Sequence, residues 1–319
     1  PRGIKLGSHS TTDSPHMIII SCLLCADETS RIVSQRTVTH PNAITAVAGC
    51  TDNHLLEEIS PRASFILDES KMTITHGIIP NVYFVKTYAV QLNTGCVGTC
   101  TFCRLQKRNR NNHSSSFDNV YHTISQNYDP NIIYTLFSND CGANSESVVN
   151  ICWKLYTQFP NIKLNIHYVN NHYFITHYKD IGELFAQNIL QGIGTSVQSA
   201  SERILRLMGR TTDLYKLHEA IQHVRSRMLP KQLLYSEFIY GFPTETEIEV
   251  LESCKFATLF THVLWYQYMK VSHTLSAEMF PECILGKDYS DIIQNFAQAN
   301  NIPSIIYNAQ KNIAWGTKP

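Results

Sequence analysis

From about residue 80 onward the chain alternates between short apolar runs and stretches whose apolar residues recur at helical spacing. The runs "VYFVKTYAVQL", "NIIYTLFS", "KLNIHYV", "ILQGIGTSVQ", "LLYSEFIYGF" and "HVLWYQYMKV" read as strands. Between them "SFDNVYHTISQN", "SESVVNICWKLYTQ", "IGELFAQ", "SERILRLMG", "DLYKLHEAIQHVRSRM" and "TEIEVLESCKFATLF" read as helices, with Ser201 and Asp213 placed as N-caps. Repeated strand–helix units predict an α/β fold, a partial (β/α)6 barrel whose strands are parallel and whose functional loops follow the strands' C-terminal ends. The N-terminal part follows a different pattern. "MIIISCLL" and "AITAVAGC" are two strand candidates, and "ADETSRIVSQRTV" and "TDNHLLEEIS" two helix candidates, which predicts a small α/β domain over residues 1–76. The barrel then occupies 77–285. Residues 286–319 form a polar extension whose end, "NNIPSIIYNAQKNIAWGTKP", does not alternate as strands would.

Charge narrows the picture. Lys+Arg and Asp+Glu are equal at 26 each, so no global positive field favours a nucleic-acid partner; "KRNRNNHSSS" (107–116) is a local basic stretch that reads as a solvated loop. No apolar run is long enough to span a bilayer and no secretory pattern opens the sequence, so the expectation is a soluble, cytoplasmic chain with no membrane association. Ten cysteines in such a chain favour metal or cluster binding over disulfides. Cys152 and Cys254 lie in helix-like stretches, where they read as small buried hydrophobes.

Three of the ten, Cys96, Cys100 and Cys103, fall within "NTGCVGTCTFC", directly after the first barrel strand. Three soft thiolates in one loop suit zinc or an iron–sulfur cluster. Structural zinc wants a fourth ligand that this loop does not contain, whereas a cubane held by three cysteines keeps one iron open to a ligand.

C-x-x-x-C-x-x-C after a barrel's first strand, with an aromatic residue before the last cysteine, resembles the radical S-adenosylmethionine (SAM) superfamily. The resemblance implies that Cys96, Cys100 and Cys103 ligate a [4Fe–4S] cluster whose free iron chelates SAM, and that one electron, from an external donor such as a flavodoxin or ferredoxin, splits SAM into methionine and a 5′-deoxyadenosyl radical. Further segments resemble the methylthiotransferase branch. "GIGTSVQSASERILRLMGR" (Gly192–Arg210) carries Val197-Gln198-Ser199 where that branch has Pro-Gln-Ser, then its M-x-R as Met208-Gly209-Arg210. "FIYGFPTETEIEV" (Phe238–Val250) resembles its I-V-G-F-P-G-E-T-E-E turn, and "LFSNDCGANSE" (Leu136–Glu146) sits where S-x-D is common. The resemblance implies that Gln198, Ser199, Arg210 and Ser138 contact SAM or substrate. Glu245 reads instead as a helix-start residue favoured by the macrodipole.

Methylthiotransferases carry a second [4Fe–4S] cluster on an N-terminal α/β domain. "LGSHSTTDS" (6–14), "IIISC" ending at Cys22 and "HPNAITAVAGC" ending at Cys50 resemble its three cysteine segments, with Ser8 in place of the first cysteine and a truncated interval. Cys25 forms a C-x-x-C pair with Cys22, so Cys22, Cys25 and Cys50 are candidate ligands of an auxiliary cluster; buried small hydrophobes of a relic domain are the alternative. The expected function is insertion of sulfur or a methylthio group at a C–H position of a peptide, nucleoside or small molecule. A transfer-RNA substrate is disfavoured, because the branch's C-terminal RNA-binding barrel finds no counterpart. The alternatives are radical C–H rearrangement, cyclisation, epimerisation or oxidation without sulfur, and a non-catalytic metal- or cluster-binding sensor.

Overall fold

A computed structural model describes residues 17–21, 45–49, 65–68 and 77–79, then 87–103 apart from 95, 113–308 apart from 127, and 313–316. Near the N-terminus, β1 (Met17–Ser21), β2 (Thr45–Gly49) and β3 (Phe65–Asp68) form a parallel sheet in the order β1-β2-β3, with Ile18 opposite Ala46 and Val47 opposite Ile66. Parallel neighbours need crossover connections, so this sheet agrees with an α/β unit. Its two expected helices lie outside the described residues. Strand β3, "FILD", was not expected: four residues are too few to show a period.

The main sheet contains β4 (Gly77–Ile79), β5 (Thr87–Gln91), β8 (Ile133–Phe137), β9 (Lys163–Val169), β10 (Leu190–Gln198), β11 (Leu233–Tyr240), β12 (His262–Gln267), β13 (Ser304–Asn308) and β14 (Ile313–Gly316). From β5 through β8 to β13 every neighbouring pair is parallel and adjacent in chain order; β4 and β14 close the two edges antiparallel. Short β6 (Asn93–Thr94) and β7 (His113–Ser114) pair with each other beside β5. This is the partial α/β barrel expected from the pattern, with a seventh parallel strand contributed by the C-terminal extension. The expectation that the extension lacks strands is corrected. In β13 the buried positions Ser304, Ile306 and Asn308 alternate with half-buried ones, and the two polar residues on the buried, helix-covered face disguised the period.

Eight helices are described: α1 (Phe117–Ser125), α2 (Val148–Gln158), α3 (Asn171–Ala186), α4 (Glu202–Leu207), α5 (Leu214–Arg227), α6 (Glu247–Ala257), α7 (Leu275–Met279) and α8 (Ser290–Ala299). Ser201 and Asp213 cap α4 and α5 as expected, accepting from Ile204 N and Lys216 N. Thr246 and Glu249 close a capping box on α6. Helix α3 starts ten residues before the stretch "IGELFAQ", because Asn170, which reads as loop punctuation, is its N-cap and accepts from Tyr173 N. The helices bury Ile151, Leu155, Phe174, Phe185 and Val250 against the outward faces of the strands, where Tyr134, Leu136 and Phe238 are also fully buried. Each such side chain contributes roughly 1.5–3 kcal/mol. The sheet's inner face is polar at its base: Asn165 Nδ2 donates to Thr135 Oγ1 at 3.3 Å, Thr135 meets Thr87, and Tyr235 Oη donates to Asn165 Oδ1 at 3.1 Å. Gly194 is required here, since a Cβ would stand 2.4 Å from Tyr235 Cε2 and 2.6 Å from Tyr168 Cδ1. The two rings meet edge to face, with centroids 5.4 Å apart, in the space the missing Cβ leaves.

Candidate functional site

Strand β5 delivers the cysteine loop to the C-terminal end of the sheet, and the turn after α4 holds it there. Thr101 donates from its backbone N to Met208 O (2.9 Å) and from Oγ1 to Leu207 O (2.8 Å), while Thr99 Oγ1 donates to Gly209 O (3.0 Å). Ser276 N, at the start of α7, donates to Thr101 O (2.8 Å). Gly209 adopts φ +68°, and a Cβ there would lie 2.5 Å from Thr99 O. Only glycine allows both the left-handed turn and this approach. Phe102, the aromatic residue before the last cysteine, is buried with Ile204, Met208, Ile239, Phe242 and Tyr268, and Cys100 and Cys103 pack partly buried against the same cluster.

The Cys96 and Cys100 sulfurs border a common space beside Gly98. A Cβ built on Gly98 would sit 3.2 Å from Cys96 Sγ and 3.8 Å from Cys100 Sγ, so glycine leaves the gap between these sulfurs open. Gly98 N donates to Cys96 Sγ at 3.3 Å, and Arg210 Nε donates to Cys100 Sγ at 3.3 Å. Cys103 N donates to Cys100 O at 3.2 Å. Burial raises the Cys96 thiol above its usual range; the Gly98 N–H and the Arg210 cation act in the opposite direction. Among the described residues no three or more His, Cys, Asp or Glu side chains are gathered around a single-ion position. Sulfurs on one zinc crowd to about 4 Å of each other, by the ~2.3 Å Zn–S bond, whereas the cysteines of a cubane bind separate irons. An open, half-buried arrangement of soft donors with N–H groups aimed at sulfur fits a cluster better than a closed single-ion site.

The other expected contacts divide. Gln198 ends β10 at φ +73°, where the register against β11 slips; it is 6% exposed, and its Oε1 has no hydrogen-bond partner among the described residues. A strained residue with an unsatisfied buried acceptor is a recurrent mark of a ligand site. Ser199 points its hydroxyl elsewhere, 3.4 Å from Ser253 Oγ on α6, and accepts from Ser201 N. Ser138 Oγ accepts from Asp140 N (3.0 Å) and donates to the buried Cys141 Sγ (3.5 Å), bracing the turn after β8. In the same turn Asp140 accepts from Gly142 N and Asn170 N, and its carbonyl accepts from Asn93 Nδ2 beside the cysteine loop. Arg210 reaches the carbonyl of Ser196 through Nη1 and Cys100 through Nε. Cys22, Cys25 and Cys50 lie outside the described residues.

Glu245 departs from its expected helix-start role. It precedes the α6 cap, is buried, and turns Oε2 back to accept from Gly241 N (2.6 Å) and Phe242 N (3.3 Å); burial pushes its carboxyl up to about 8. Two further groups were not singled out from the sequence. Glu237 on β11 is held up from the usual carboxyl range by burial, opposed by Tyr168, Arg210 and Ser196. His167 on β9 is pushed down to about 4 by burial, opposed by a hydrogen bond with the Ser138 backbone, and stands edge-on to Tyr168. The available signal was a lone acid in an otherwise apolar run, "LLYSEFIYGF".

The family model described as the Radical SAM superfamily matches residues 90–257. The threonylcarbamoyladenosine tRNA methylthiotransferase of Homo sapiens is 24% identical over 184 residues, covering 54% of this chain and 32% of that protein. The tRNA-2-methylthio-N(6)-dimethylallyladenosine synthase of Mycolicibacterium gilvum is 31% identical over 126 residues, 36% of this chain and 24% of that protein. The chain thus spans no more than about a third of the length of these relatives. Among solved structures, the apo form of OxsB, a cobalamin-dependent SAM radical enzyme, aligns with a TM-score of 0.49 at 12% identity, covering 88% of this chain and 47% of that one. Coproporphyrinogen III oxidase (HemN) of Escherichia coli aligns with a TM-score of 0.46 at 15% identity, covering 67% and 51%.

Proposed function

The chain belongs to the radical SAM superfamily, whose members use a [4Fe–4S] cluster and SAM, and from that premise we propose that it inserts sulfur or a methylthio group at a C–H position. The observation that carries the cluster assignment is the cysteine loop itself: Cys96 and Cys100 open onto one gap, with Arg210 donating into it and the Gly209 turn fixing the loop's position. In this reading Cys96, Cys100 and Cys103 hold the cluster. When bound, the cluster supplies an electron and an open coordination site at which SAM is cleaved reductively. Gln198 offers its buried amide oxygen to SAM or substrate, Arg210 its guanidinium, and the packed base of the barrel excludes water from the reacting end. Ser138 and Ser199 position the strand ends rather than touch ligand.

Sulfur transfer rests on the methylthiotransferase-like segments at 192–210 and 238–250 and on relatives named as tRNA methylthiotransferases. The second cluster belongs to the same proposal, with Cys22, Cys25 and Cys50 as its ligands in a domain spanning 1–76. The substrate is a peptide, nucleoside or small molecule; the relatives' names make an N6-modified adenosine the first nucleoside to offer. Among the described residues no helix is long and apolar enough to cross a membrane.

The test is anaerobic reconstitution followed by product mass. Bound iron of about eight per chain is expected if both trios hold cubanes, about four if only the barrel trio does. A product heavier by a sulfur or a methylthio group supports the reading. Substrate turnover with 5′-deoxyadenosine formed but no sulfur gained would replace it with a C–H rearrangement or oxidation.

A further inference from the structure

Polar side chains at the C-terminal ends of the strands are joined end to end. Asn93, at the entry to the cysteine loop, donates through Nδ2 to Asp140 O at 3.2 Å. The Asp140 carboxyl oxygens accept from Asn170 N at 3.1 Å and from Asn170 Nδ2 at 2.9 Å. Asn171, the next residue, accepts at Oδ1 from Thr195 Oγ1 (2.8 Å) and donates through Nδ2 to Thr212 Oγ1 (3.1 Å). Thr212 lies just beyond Gly209, whose carbonyl accepts from Thr99 Oγ1 inside the cysteine loop at 3.0 Å. The path closes on itself. It leaves the loop at Asn93, crosses the ends of β8 and β9 with a branch to β10, and returns through Thr212 and the 207–209 turn to Thr99 and Thr101.

Asn93, Asp140, Asn171 and Thr195 are buried. Burying such groups costs free energy unless each finds a partner, and apolar side chains would fill the same positions without that cost. What bonded polar groups add is direction, since the members of a buried network hold one another in a single arrangement. The segments joined here carry the site. Thr195 belongs to the strand that ends at Gln198, the Ser196 carbonyl beside it receives Arg210 Nη1, and Arg210 lies between Gly209 and Thr212 in the closing turn.

We propose that this closed belt acts as one unit that fixes the cysteine loop relative to Arg210 and Gln198, with Asp140 and Asn171 as positioning residues. A break at any link loosens the loop, including a break on the far side of the barrel mouth. The consequence for SAM rests on the cluster reading above; the belt itself does not.

Amide hydrogen exchange of the full-length, iron-free chain, read by mass spectrometry over residues 93–103, compares wild type with Thr212→Val, Asn93→Ala and the double variant. Thr212→Val keeps the shape of the side chain and removes the acceptor for Asn171 Nδ2, a bond to α3 rather than to the loop. Members of one network couple, so exchange over 93–103 is expected to rise about tenfold in each single variant and no further in the double. Unchanged exchange there in Thr212→Val overturns the proposal. So does a rise of about a hundredfold in the double, which independent local bonds would give. Where Asn93→Ala fails to fold, Thr212→Val decides alone: faster exchange at 93–103 supports the belt and unchanged exchange refutes it. After anaerobic reconstitution, Thr212→Val is expected to keep its iron and bind SAM about tenfold more weakly, read by electron paramagnetic resonance titration. SAM affinity equal to wild type overturns the positioning role. A wild type that takes up no four-iron cluster fails differently: it overturns the reading of the loop and leaves the exchange result standing.

Discussion

Two glycine turns border the site and resemble each other closely, yet they hold different things. Gly209 and Gly241 both adopt left-handed backbones, at φ +68° and +70°, and both adjoin the apolar cluster under Phe102, through Met208 and Phe242. A Cβ on Gly209 would strike Thr99 O at 2.5 Å, within the cysteine loop; a Cβ on Gly241 would strike Lys287 O at 2.3 Å, within the C-terminal extension. The first turn continues into Arg210, which donates to a thiol; the second continues to Glu245, which folds back to accept its own turn's N–H groups. The same local conformation therefore serves a ligand loop in one place and architecture in the other. What distinguishes them is the polar side chain that follows and where it reaches.

Substitution separates the two most strongly at the glycines. Gly209→Ala forces a left-handed alanine, at about 1–2 kcal/mol, and pushes the cysteine loop away; iron retained after reconstitution is expected to fall by about four per chain, the content of the barrel trio's cluster. Gly241→Ala carries a similar conformational cost but strikes the extension, so its thermal midpoint falls while iron retention stays at the wild-type level. Equal iron loss in both variants would erase the distinction.

The acids beside the second turn give the next effect. Glu245 has a folded value of about 8, above its ordinary 4.5. The folded state holds that proton more tightly, so its contribution is fully present below 4.5 and is lost as pH rises through about 8. Glu249 behaves oppositely: Arg203 holds its carboxyl down to about 2, so its contribution is present above 4.5 and lost as pH falls toward 2. Unfolding midpoints measured across this range should show Glu245→Gln flattening the decline at the alkaline end and Glu249→Gln losing stability at neutral pH. Matching profiles for the two variants would contradict the assignment. Smallest is Thr101→Val, which removes the bond to Leu207 O; a loss of about 1 kcal/mol, with iron retained, is expected from denaturant unfolding.

The strand–helix alternation was legible because parallel strands buried on both faces, by helices outside and by the barrel's own side chains inside, read as short apolar-rich runs; β9 coincides with "KLNIHYV" and β10 lies within "ILQGIGTSVQ". The Ser201 and Asp213 caps were legible for the same local reason. Strand β13 was hidden by polar residues on its buried face, and the start of α3 by an asparagine that serves as a cap. The cysteine loop announced itself through density of one chemical type. The clamp on that loop, from Thr99 and Thr101 to residues 207–209, joins segments more than a hundred positions apart and leaves no trace in local spacing. Gln198 and Arg210 emerged through family resemblance, and the structure adds what each does: one keeps an unsatisfied acceptor, the other donates to sulfur. Glu237 and His167 emerged only when the strands were placed side by side, because the groups that act on them, Tyr168 and Arg210 on the one and the Ser138 backbone on the other, come from other strands and loops.

The central claim is that Cys96, Cys100 and Cys103 hold a cluster with one iron open to SAM. Electron paramagnetic resonance of the reduced, reconstituted protein before and after addition of SAM tests it most directly, with single alanine substitutions at the three positions and Cys152→Ala, at a buried core cysteine, as the reference. The account predicts a four-iron signal that changes on adding SAM, is lost in each of the three loop variants and persists in Cys152→Ala. Zinc in place of iron, or a signal indifferent to SAM and to loss of Cys100, would contradict it.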